Sequence, residues 1–247
     1  MEEHFNNVID ILKKQDIDAC ITGSCMLGFN PDWNQDIDVF CYDKPSFNKL
    51  LFYMFYNGLF IIDDPLEKHK FNEYINNDKS SLDSIGLITI KFKYNLLIDV
   101  NIIYKKFQNN IFDVLSNFDL DLITTGYDIK TGKQFSLRES TGLEGTWNRW
   151  NKSFYKTDIW STKRLLRQFE RVVKYTHRGY NLDSVTDKYI SIVEEILKTE
   201  NFYKTEKGTK FYADTIQQFE IVLKILKIWK VEHVMSPEQI LILKTLI

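Results

Sequence analysis

The residues of this chain best suited to chemistry gather in one stretch, ITGSCMLGFNPDWNQDIDVF at Ile21–Phe40. Gly23-Ser24 closes a short apolar run, Ala19–Thr22. After eleven intervening residues comes Asp36-Ile37-Asp38, leading into Val39-Phe40-Cys41. In a strand, alternation places Asp36 and Asp38 on one face and sends Ile37 and Val39 into the sheet. Two carboxylates on one face repel each other unless a cation lies between them. Hard Mg²⁺ takes one or two protein carboxylates together with phosphate oxygens. Gly23 lets the backbone approach a bulky anion, and a helix beginning at Ser24 would aim its unpaired N–H groups at phosphate. A further carboxylate, Asp99, stands inside the apolar run Leu96–Ile103. An Asp buried there without a cation or partner would be costly.

Gly-Ser, a spacer of this length and Asp-x-Asp resemble the signature of the polymerase-beta-like nucleotidyltransferase superfamily. The resemblance implies a third carboxylate on a later strand, a place that Asp99 fills. It implies Mg²⁺ or Mn²⁺ held by Asp36, Asp38 and Asp99, one ion activating the attacking hydroxyl and one steadying the leaving pyrophosphate. Gly23 and Ser24 would then bind the triphosphate. The expected reaction is transfer of a nucleoside monophosphate from an NTP to a hydroxyl, with release of pyrophosphate. RNA 3′ ends, proteins and small molecules such as aminoglycosides all serve as acceptors in the superfamily, and no CCA-adding pattern or antibiotic pocket is recognisable here. Phe118-Asp119 with Gly126-Tyr127-Asp128 downstream, and the run Arg171–Tyr180, resemble segments of nucleotidyltransferase-like proteins from large viruses and phages. A non-catalytic nucleotide-binding, antitoxin-like or structural protein that kept the fold is the alternative. Retention of three mutually repelling carboxylates counts against it.

A second constellation is cationic. On a helix over Asp158–Arg178, Arg164, Arg167, Arg171, Lys174 and Arg178 fall within an arc of about 80°. Leu165, Leu166, Phe169, Val172 and Val173 take the opposite side. Only Asp158 and Glu170 lie near in sequence, and neither neutralises the stripe. Arg164, Arg167, Arg171 and Lys174 are therefore candidates for phosphate or acceptor contacts, against the alternative of a solvated face. Asp119 and Asp121 alternate with Phe118, Leu120 and Leu122, the period of a half-buried strand with both acids facing water.

The chain's 247 residues, 44% hydrophobic and 15% aromatic, suffice for a substantial core and exclude global disorder. The net charge of −2 is unevenly spread, with −6 on residues 1–154 and +4 on 155–247. That suits a phosphate-rich ligand between the two parts but is too weak to demand long nucleic acid. Cys20, Cys25 and Cys41 form no metal-ligand or disulfide pattern. The acidic, amphipathic N-terminus is unlike a signal peptide, and no apolar run approaches a membrane span. A cytoplasmic protein is expected.

The expected fold is α/β: a mixed sheet with flanking helices over residues 1–150, the nucleotidyltransferase domain, followed by a helical domain over 151–247 that closes the nucleotide cleft. Helices are expected at Glu2–Gln15, from Pro45 to Gly58, near Leu66–Ile75 and over Asn109–Asn117. Strands are expected at Ala19–Thr22, around Asp36, at Leu59–Ile62, at Leu87–Phe92 and around Asp99, with a tight turn at Tyr94-Asn95. Helices at Asp158–His177, Val185–Thr199, Lys210–Val231 and from Pro237 complete the chain.

Overall fold

A computed structural model describes residues 1–33, 35–76, 86–152, 160–198 and 216–246. The chain packs as two compact units, Met1–Phe118 with Ile123–Arg138, and Asp119–Leu122 with Glu139–Ile247. The units part after Arg138, ahead of the boundary placed near residue 150. The reason is that residues 119–122 bond to the segment that follows. Asp121 N donates to Thr146 O at 2.9 Å and Asn148 N to Asp119 O at 2.8 Å, and Leu120 bridges Trp147.

The first unit is a mixed α/β layer. Its elements are α1 (Glu2–Lys13), β1 (Ala19–Thr22), a 3₁₀ turn (Ser24–Leu27), β2 (Ile37–Cys41), α2 (Lys44–Tyr56), β3 (Phe60–Ile61), α3 (Pro65–Asn76), β4 (Leu87–Tyr94), β5 (Ile98–Lys105), α4 (Ile111–Leu115), β6 (Thr125–Asp128) and β7 (Lys133–Ser136). The seven strands form one sheet in the order β3-β4-β5-β2-β1-β6-β7. β2 and β5 run parallel; the other pairs are antiparallel.

Alternation drives β2 as its sequence requires. Ile37, Val39 and Cys41 are buried, while Asp38 and Phe40 are only half-buried. Each such apolar side chain contributes about 1.5–3 kcal/mol on burial. One face of the sheet packs Ile37, Val39, Ile90, Phe92, Val100 and Ile102 against Val8 and Leu12 of α1 and Phe47, Leu50, Leu51 and Met54 of α2. α2 begins one residue before Pro45, capped by Asp43, whose carboxylate accepts from Ser46 N at 2.6 Å. The β4–β5 connection is a tight turn in which Asn95 and Leu96 both have positive φ (47° and 61°), closed by Leu97 N to Tyr94 O at 2.9 Å.

The second unit contains α5 (Thr162–His177), α6 (Asp183–Lys198), α7 (Ile216–Glu232) and α8 (Pro237–Leu246). The expected starts at Asp158 and Lys210, and the expected end at Thr199, lie outside the described residues. Among the described residues no helix is long and apolar enough to cross a membrane.

Candidate metal and phosphate site

Strand register builds the site. Thr22 pairs with Asp38 across β1–β2, and Asp38 pairs with Asn101 across β2–β5. Asp36, just before β2, and Asp38 are each half-buried. The Asn101 side chain joins them, its Nδ2 donating to Asp36 Oδ2 at 3.0 Å and to Asp38 Oδ1 at 2.9 Å. Charge-assisted bonds of this kind offset part of the repulsion between the two acids. Sequence reading passed over Asn101. Its one signal was alternation with Asp99 on the same strand face.

Gly23 follows β1 with φ 91° and ψ −155°, a region essentially reserved for glycine. A Cβ built there would stand 2.9 Å from Asp38 Oδ2. The acid therefore packs directly against the backbone that a side chain would have covered. Ser24 is buried and opens a 3₁₀ turn of only four residues. That turn is too short to present the helix N-terminus anticipated for phosphate.

Gln35, a second residue that sequence reading passed over, is buried and ties the Gly-Ser turn to the acids. Its Nε2 donates to Ser24 O at 3.1 Å and to Gly28 O at 2.9 Å, and its Oε1 accepts from Asn30 N at 2.9 Å. The Cys25 thiol donates to Thr22 O at 3.1 Å. Burial, with the Asp38 and Asp36 charges adding to it, raises that thiol's pKa well above the usual range.

Asp99 has a different partner. It precedes Asn101 on the same face of β5, but Lys91 Nζ lies 2.6 Å from its Oδ2. Its Oδ1 is buried without a hydrogen-bond partner. Asp99 lines a cavity of about 280 Å³ with Asp63, Asp64, Glu67, Lys91 and Lys93. There Lys93 pairs with Asp63 at 2.9 Å and holds that carboxyl below the usual range.

Among the described residues no group of three His, Cys, Asp or Glu side chains is arranged to hold a metal ion. Asp36 and Asp38 are oxygen donors of the kind a hard cation takes, and the structure does not bring Asp99 into a three-acid group with them.

No protein-family profile and no curated protein sequence matches the chain. Among solved structures, the CCA-adding enzyme of Thermotoga maritima, complexed with tRNA, aligns at TM-score 0.47 and 11% identity, over 92% of this chain and 54% of that one. The chain thus spans about half the length of that enzyme.

The cationic stripe lies on α5, in the second unit, and its members differ in surroundings. Arg171 Nη1 pairs with Asp119 Oδ1 at 2.9 Å. The Arg164 guanidinium lies 5.0 Å from the centre of the Trp160 ring, and its burial lowers its pKa. Lys174 Nζ is 5.9 Å from the Tyr175 ring centre, and Arg167 is exposed. Leu165, Leu166, Phe169, Val172 and Val173 are buried on the opposite side, as the helical period required.

Asp119 and Asp121 do not face water. Both are buried, and residues 121–123 form a 3₁₀ turn rather than a strand. Asp121 gathers the backbone N–H groups of Ser140 (2.8 Å) and Thr146 (2.7 Å). Asp128, in the Gly-Tyr-Asp segment, is likewise structural. It accepts from Tyr42 Oη at 2.8 Å and from Thr131 N and Oγ1 at 2.8 and 2.7 Å.

Proposed function

We propose that this chain is a divalent-metal-dependent nucleotidyltransferase, moving a nucleoside monophosphate from an NTP to a hydroxyl and releasing pyrophosphate. One observation supports the reading above the rest. Asp36 and Asp38 converge on one face, and Asp38 abuts the open backbone of Gly23. A bound Mg²⁺ or Mn²⁺ would supply charge neutralisation for the triphosphate.

The chain's own groups take the remaining roles. Asp36 and Asp38 hold the cation. The Gly23-Ser24 backbone lies against the phosphates, with Gln35 fixing its shape. Asp99, engaged by Lys91 at Oδ2, is the proposed group that takes the proton of the acceptor hydroxyl. Arg164, Arg167, Arg171 and Lys174 are proposed phosphate or acceptor contacts, and Arg171 would have to share itself with Asp119. The acceptor is an RNA, a protein or a small molecule. Three free, buried thiols suit a reducing, cytoplasmic setting.

A second reading has its own support. Lys91 engages Asp99, and Asn101 rather than an acid stands beside Asp38. An NTP-binding protein without transfer activity is compatible with both facts.

The deciding experiment incubates the protein with each α-³²P-labelled NTP, Mg²⁺ or Mn²⁺, and total RNA or lysate. Label moving to an acceptor, and failing to move with Asp38→Asn, is the expected result. Metal-dependent NTP binding without transfer would favour the second reading, and neither binding nor transfer would remove both.

A further inference from the structure

Asn101, on the neighbouring strand, bonds to both acids of the Asp36–Asp38 pair. Asn101 is aligned with Asp38 by the parallel β2–β5 register, so its position is set by main-chain bonding rather than by the acids. Its single amide nitrogen donates to one oxygen of each carboxylate, at 3.0 and 2.9 Å. An amide NH₂ carries two hydrogens, and here each has its own acceptor.

We propose that Asn101 stands in for the cation when none is bound, clamping Asp36 and Asp38 so that the metal-free site is already formed. The inference rests on the reading of the pair as a metal site, and goes further by assigning Asn101 a positioning role in it. Like charges on adjacent positions of one face repel. In the metal-free protein the two amide hydrogens supply the positive partial charge that a metal ion would otherwise provide. Asn101 therefore lessens how far the geometry of the acid pair depends on metal, and its removal increases that dependence.

That coupling separates the proposal from mere packing. A residue that only fills space loses stability equally with and without metal. A residue that replaces a cation loses stability only when the cation is absent.

The test is thermal unfolding of the full chain in EDTA and in saturating Mn²⁺, for the native protein, Asn101→Leu and Asn101→Asp, with Mn²⁺ affinity measured in parallel by the loss of its free-ion EPR signal. The native protein is expected to change little between the two conditions. Both variants should unfold earlier in EDTA and recover in Mn²⁺. Asn101→Asp, which adds a third carboxylate, should bind Mn²⁺ at least about tenfold more tightly, because the number of charged ligands sets divalent-cation affinity.

If Asn101→Leu does not fold, the near-isosteric Asn101→Asp decides the matter by the same comparison. Equal destabilisation in EDTA and Mn²⁺, or none in EDTA, would overturn the clamp while leaving the metal reading intact. Absence of Mn²⁺ binding by the native protein would instead remove the metal reading and the clamp together.

Discussion

Lys91 Nζ lies 2.6 Å from Asp99 Oδ2, a contact made across the antiparallel β4–β5 pair, where Lys91 faces Asn101 and Lys93 faces Asp99. The diagonal pairing leaves Asp99 Oδ1 as the oxygen with no hydrogen bond. Lys91→Met should therefore act on chemistry more than on stability. The lysine is partly exposed, and such pairs contribute at most about 1 kcal/mol. Transfer should fall at least about tenfold, since a misdirected general base forfeits much of its usual contribution. Rates and urea midpoints measured together check this. A variant with the native rate would show that Lys91 does not orient Asp99 for proton transfer.

Arg171 and Asp119 predict the opposite balance. Asp119 is 3% exposed and its Oδ2 has no hydrogen-bond partner, so removing the arginine leaves a carboxylate buried with less compensation. Arg171→Met should cost about 3 kcal/mol in urea unfolding. Adding Asp119→Asn should recover part of that loss, because the uncompensated charge is then gone. A single variant within about 0.5 kcal/mol of native, the range of ordinary surface substitutions, would show the pair to be incidental.

Gly23 and Gly28 provide an internal control. Both have φ near +90°, but a Cβ at Gly28 would meet nothing within 4 Å, whereas one at Gly23 would strike Asp38 Oδ2. Gly28→Ala should cost only backbone strain, about 1–3 kcal/mol. Gly23→Ala should carry that strain and also displace Asp38, weakening Mn²⁺ and NTP binding. Equal binding by the two variants would mean that the close approach at Gly23 has no functional consequence.

The turn after β4 offers a stabilising change. Leu96 sits at φ 61° and is exposed, a conformation costing a side-chain-bearing residue about 1–2 kcal/mol. Leu96→Gly, giving the Asn-Gly sequence favoured in such turns, should raise the melting temperature by a few degrees. A lower melting temperature would show that the Leu96 side chain stabilises more than its backbone costs.

Alkaline pH should destabilise the first unit. Burial raises the Cys20 thiol from 9.0 to about 12, and it also raises Cys41 and the Tyr42 hydroxyl. Above pH 9 the unfolded chain releases thiol protons that the folded chain retains. Stability is therefore full below the unfolded pKa and falls as pH rises, by roughly 1.4 kcal/mol per pH unit for each thiol. Urea midpoints from pH 8 to 11 test this, and Cys20→Ala should flatten the decline. The same burial should leave Cys20 and Cys41 unreactive to iodoacetamide at neutral pH until the protein is unfolded.

What the sequence determined by itself was local. Alternation in Asp36–Cys41 and Leu87–Phe92 specified strands and the faces they bury, because a side-chain period of two is a property of the chain alone. The helical period over Thr162–His177 likewise separated Leu165, Phe169 and Val172 from the arginines. The Gly-Ser turn and the Asp-x-Asp pair were legible for the same reason: each lies within a few residues of its own strand.

Tertiary structure decided the partners. Asp99 goes to Lys91, Arg171 goes to Asp119 and Asn101 joins Asp36 to Asp38, each across strand pairing or a long excursion of chain. No periodicity in the sequence encodes those distances. Asp119 and Asp121 show the limit most plainly. Their alternation with Phe118, Leu120 and Leu122 was that of a solvated strand, yet a 3₁₀ turn, the backbone of 140–146 and the guanidinium of Arg171 made their burial possible. Burying a charge depends on what surrounds it in space, and only the folded chain brings those groups together.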